Sequence, residues 1–130
     1  MNLPSFASFL DRQVDAFEHA FRESPETDIA QFLPYAGHPE YYVVLTELLR
    51  VRLELDWRSG RPFSLGEAID RFPELLTRKN ELEALAFEEY RQRRLKGEPV
   101  EAAEYEGNYA LPPLQWPRIN PIHGMPFYES

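Results

Sequence analysis

The sequence predicts an all-α fold: a small helical bundle of two helix-elbow-helix repeats plus an N-terminal helix, with an extended Pro-rich C-terminal strap. Three observations predict it. Apolar residues recur at three- and four-residue intervals over most of the chain, which is the helical period. The phrase LRVRLELDWRSGRPFSLGEAIDRFPEL, from Leu49, is answered 37 residues later by AFEEYRQRRLKGEPVEAAEYEGNYALP, from Ala86. The last stretch, from Gly107, carries five prolines and cannot be one helix. In the repeat, Gly60 falls opposite Gly97, Pro62 opposite Pro99, Glu67 opposite Glu104, Phe72 opposite Tyr109 and Leu53 opposite Tyr90.

The first helix is expected from about Ser5 to Glu23, with Phe6, Phe9, Leu10, Val14, Phe17 and Phe21 on one face and a stop at Ser24-Pro25. A short helical turn follows through Ile29, Phe32 and Leu33, ended by Pro34. The start signal Gly37-His38-Pro39 puts proline at the first helical position, where its missing N–H costs nothing. The strongest pattern then runs from Pro39 to Ser59, with Tyr42, Leu45, Leu48, Leu49, Leu53 and Trp57 as the apolar stripe. Gly60 stands where a left-handed C-terminal residue belongs. Ser64 and Glu67 match a capping box opening a short helix through Ala68, Ile69 and Phe72, which Pro73 closes. A second long helix is expected from about Arg78 to Lys96, with Leu82, Leu85, Ala86 and Tyr90 buried and Gly97 ending it. Val100 to Tyr105 repeats the short element without its serine cap. The expected division is therefore 1–106 as the helical repeat domain and 107–130 as the strap. Leu111, Leu114, Trp116, Ile119, Ile122, Met125, Phe127 and Tyr128 make that strap too apolar for a solvated linker, so it should lie in a groove of the helical body or dock on a partner.

Composition narrows function by exclusion. The 130 residues make one domain's worth of chain, and 43% hydrophobic content with 14% aromatics supports a packed core. A net charge of −8 argues against nucleic acid and anionic membranes, because such partners need clustered cations. The absence of cysteine removes disulfides, thiolate nucleophiles and zinc-thiolate sites. The opening MNLPSFASFLDRQ lacks a basic start followed by an apolar run, and no apolar stretch approaches the roughly 20 residues that span a bilayer. A soluble, cytoplasmic chain is expected.

Chemistry has thin support. His19, His38 and His123 are far apart and form no metal-ligand spacing, and the six glycines make no phosphate loop. No cofactor, metal or catalytic residue is assigned. Glu81, Glu83, Glu88 and Glu89 are read as a solvated helix face, because adjacent carboxylates on a helix point about 100° apart. Glu89 and Arg93 have the spacing of a surface ion pair. The run Arg91 to Lys96 is the one concentrated basic patch. Its cations offset the helix dipole, or cradle an acidic partner segment. Trp57, replaced by Arg94 in the second copy, is either a core lid or a partner anchor.

Gly37 to Tyr105 carries a resemblance. Trp57-Arg58, Gly60, Leu65, Glu67, Phe72-Pro73-Glu74-Leu75 and Glu88-Glu89-Tyr90 are similar to phrases in the non-catalytic helical segment N-terminal to the kinase domain of planctomycete-type bacterial serine/threonine protein kinases. The resemblance implies an accessory module of signalling proteins. No kinase motif is present in this chain. The resulting expectation is a non-catalytic protein-interaction or regulatory module, with Trp57, Arg91, Arg93, Arg94, Lys96 and Trp116 as partner-binding residues in the groove between the two long helices. The alternative is a homo-oligomerisation or assembly domain using exposed apolar residues of the first helix or the tail.

Overall fold

The computed structural model describes residues 6–61 and 63–120. It is all-helical, and no strand occurs among the described residues. Helix α1 spans Phe6–Glu23, α2 Tyr41–Arg58, α3 Leu65–Arg71, α4 Lys79–Leu95 and α5 Ala102–Tyr109, with 3-10 turns at Ile29–Phe32 and Pro73–Thr77. Pro73 therefore opens a turn rather than only closing a helix. Two compact units divide between Val51 and Arg52, so α2 belongs to both. The expected elbow proline Pro62, and the tail residues 121–130, lie outside the described residues.

In the first unit, Phe17 and Phe21 of α1 are buried, and Phe17 meets Phe32 edge-on at 5.7 Å between ring centres. The single Thr27 hydroxyl is shared between the carbonyls of Ser24 (2.7 Å) and Ala20 (3.1 Å), which also accept the Thr27 and Ser24 N–H groups, and so reinforces the end of α1. Asp28 accepts from the Ala30 N–H at 3.0 Å and so starts the 3-10 turn. Gln13 Nε2 donates to the Phe32 carbonyl at 2.8 Å, which fixes that turn on α1. On α2, Leu45, Leu48 and Leu49 of the predicted stripe are buried, and Val44, outside that stripe, is buried with them.

In the second unit, α3, the Pro73–Thr77 turn and α4 pack together over Leu65, Ala68, Leu75, Leu82, Leu85 and Ala86, all buried. The repeat is visible here as geometry. Helices α2 and α4 both end in a Schellman motif. The Arg61 and Glu98 N–H groups donate back to the Asp56 and Arg93 carbonyls at 2.9 and 3.0 Å. Gly60 and Gly97 take φ +78 and +94, where a side chain is strained. An added Cβ meets nothing within 4 Å at either position, so the penalty is conformational alone. Gly60→Ala and Gly97→Ala should each lose about 1 kcal/mol, read as a lower urea midpoint at unchanged m-value.

The short helices start alike. Ser64 accepts the Glu67 N–H at 3.0 Å. At the equivalent place Glu101 replaces the serine, and the Glu104 carboxylate accepts the Glu101 N–H at 3.0 Å, the reach-back half of a capping box. The loss of serine therefore does not leave α5 uncapped. Helix α5 also runs to Tyr109, two residues past the expected start of the strap.

Candidate partner-docking site

Residues 111–120 run extended after α5 and lie against α4 and α5 within the second unit. The strap's main chain is held by side chains at three points. Tyr90 Oη donates to the Pro117 carbonyl at 3.0 Å. Arg94 Nε donates to the Ile119 carbonyl at 3.0 Å. The Glu106 carboxylate accepts the Leu114 N–H at 2.8 Å. Between these points Trp116 enters an aromatic cluster, with ring centres 4.9 Å from Tyr90, 5.4 Å from Phe87 and 5.6 Å from Tyr105. Arg118 adds a surface ion pair to Glu101 at 3.2 Å. A shallow groove of about 420 Å³ continues this surface, bounded by Asn80, Glu83, Ala84 and Phe87 of α4 and by Trp116 and Pro117 of the strap. The α4 members recur three and four residues apart, so they form one helix face.

Beneath the strap lies a buried polar network. Glu89, 5% exposed, accepts the Leu65 N–H at 2.7 Å with one oxygen and the Tyr105 hydroxyl at 2.9 Å with the other. It thus joins the first turn of α3 to α5. Arg93 bonds Glu98 at 2.8 Å and the Tyr105 oxygen at 3.3 Å, with Glu89 4.0 Å away. Burial, then the charge of Glu89, pushes the Tyr105 hydroxyl above its ordinary range and keeps it a neutral donor. Tyr109 moves in the same direction for the same reasons.

Glu88 and Glu89 correct the sequence reading. Neither lies on a solvated face: both are buried, and Glu88 is engaged by Arg91 at 2.8 Å and Gln92 at 2.9 Å. The basic run likewise does not form one outward patch. Arg94 is 8% exposed and its Nη1 donates to the Val100 carbonyl at 3.3 Å. Arg93 turns toward Glu98 and Tyr105, Arg91 is half-buried against Glu88, and Lys96 is exposed. Of the six predicted partner residues, Arg94 and Trp116 come together through the strap, while Trp57 lies on the other copy. Its Nε1 donates to the Phe63 carbonyl at 3.2 Å.

Trp57 and Arg94 therefore do one job at equivalent positions: each reaches a carbonyl six residues ahead, across its glycine elbow. The charges around them are exchanged between copies. Arg52, Asp56 and Arg61 associate at 3.2 and 3.7 Å in the first, and Glu89, Arg93 and Glu98 at 4.0 and 2.8 Å in the second. These triads occupy matching places in the 37-residue register, with every sign reversed. That reversal is the sequence signal for the buried network. Reading each copy by its apolar residues alone passes over it.

Among the described residues, no group of three or more His, Asp or Glu side chains is placed to hold a metal ion. No helix there is long and apolar enough to cross a membrane. Compared with models of protein families, with curated proteins and with solved structures, the chain finds no match in any of the three.

Proposed function

We propose that this chain is a non-catalytic, cytoplasmic protein-interaction module whose recognition surface is the α4–α5 face, and that its protein partner presents an extended, proline-containing segment with an aromatic residue. One observation carries the reading. Residues 111–120 are held as peptide-binding domains hold ligands, through main-chain hydrogen bonds to fixed side chains and one aromatic anchor. The shared requirement is an extended backbone, which proline supplies at low entropic cost. A link to bacterial serine/threonine kinase signalling rests on the resemblance of residues 37–105 alone.

The test uses the full chain carrying Trp116→Ala, which loosens the resident strap, and a labelled synthetic peptide of residues 111–120. Fluorescence anisotropy should show saturable binding with Kd on the order of 10 μM. The unsubstituted chain should bind at least about ten-fold more weakly, because its own strap competes at roughly millimolar effective concentration. A peptide carrying W116A should not bind. If the Trp116→Ala chain stays folded and takes up no peptide, the face is structural only.

A further inference from the structure

The junction between α5 and the strap is a single strained residue. Ala110 stands at φ 55, ψ 43, the one non-glycine residue at positive φ among the described residues. Its N–H and that of Leu111 both return to the Glu106 carbonyl, so α5 ends much as α2 and α4 do, but without glycine at the left-handed position. A Cβ is disfavoured in that region, so the closed strap is held against a local cost that opening removes.

Beyond Leu111, whose N–H belongs to the cap of α5, nothing that holds the strap requires it to belong to the same chain. The Pro117 and Ile119 carbonyls, the Leu114 N–H, the Trp116 ring and the Arg118 guanidinium would meet the same partners from another copy. Leu111 precedes Pro112, whose ring disfavours helical backbone before it, so an opened junction leads into an extended arm. Residues 111–120 then reach at most about 33 Å.

We propose that the strap exchanges between two copies of this chain, each occupying the α4–α5 face of the other in a closed two-fold dimer. A second copy is the occupant because its strap brings the matching set of donors, acceptors and aromatic anchor. It also brings Arg118, opposite in sign to Glu101. The inference rests on the docking face proposed above and extends it to self-recognition.

Light scattering on the full chain, refolded at about 10 μM to about 1 mM, spans the effective concentration a strap has for its own groove. The unsubstituted chain should gain dimer toward the top of that range. Ala110→Gly, which accepts the left-handed conformation freely at both junctions, should weaken the dimer at least about ten-fold. Ala110→Val carries a β-branched side chain that fits the junction poorly, and should dimerise at lower concentration. Adding Trp116→Ala to Ala110→Val should restore the monomer. An unsubstituted chain still monomeric at the top of the range overturns exchange, whatever the variants do. So does a dimer unaffected by Ala110→Gly, or one that survives Trp116→Ala. Peptide capture by the Trp116→Ala chain beside a monomeric unsubstituted chain removes exchange and leaves the docking face standing. Failure of both removes the face as well.

Discussion

Glu89→Ala is expected to lower the unfolding free energy by about 3 kcal/mol, measured by urea denaturation. The carboxylate is nearly without solvent, and both its oxygens are committed: one to the Leu65 N–H that opens α3, the other to the Tyr105 hydroxyl of α5. Truncation leaves both donors buried without their acceptor, and each such loss costs about 1–3 kcal/mol. It also removes the anion beside Arg93, although that guanidinium keeps Glu98. Glu89→Gln separates shape from charge. A glutamine retains one acceptor oxygen, so about half the loss should remain. If Glu89→Ala cost no more than an exposed helix position, under about 0.5 kcal/mol, the network would not be holding α3 to α5.

The helices were legible because their signals are local. Gly60 and Gly97 both adopt the left-handed conformation their positions predict, Ser64 caps α3, and the leucine spacing of α2 marks its buried face. Each of those depends on neighbours within one or two turns. The site depends on contacts between elements, and α4 hides them well. Beside Leu82, Leu85, Ala86 and Tyr90 it buries Glu88, Glu89, Gln92 and Arg94, residue types that a periodicity reading assigns to solvent. Adjacency told correctly that Glu88 and Glu89 diverge, but divergence on a helix flanked on two sides does not mean exposure. The strap was legible as apolar and extended, yet composition could not show that Tyr90, Arg94 and Glu106 would read its backbone. The cap of α5 was legible only in Glu104, three residues past the position where the serine is lost, whose carboxylate accepts the Glu101 N–H.

Arg94→Ala should lower stability by about 2–3 kcal/mol and release the strap at the same time. Two carbonyls lose their charged donor: Val100 at the start of the second elbow's exit, and Ile119 near the end of the described strap. Hydrogen bonds from a charged group are worth about 1.5–3 kcal/mol each, but the strap carbonyl regains water on release, so the losses should not sum. Release has its own readout. In a Trp57→Phe background, tryptophan emission reports Trp116 alone, and it should shift red as the ring leaves Phe87, Tyr90 and Tyr105 for water. Arg94→Lys should rescue little, because one ammonium lacks the planar fork that serves two acceptors in different directions. Arg94→Trp places in the second copy what the first copy has. A tryptophan there has one N–H, as Trp57 has for Phe63, and so can replace the bond to Val100 but not the bond to Ile119. The expected outcome is a chain more stable than Arg94→Ala with its strap still loose. The second donor of arginine is thus what turns a shared elbow contact into a strap-binding contact. A red shift of Trp116 without loss of stability, or a loss of stability without the shift, would show that Arg94 serves only one of those two roles.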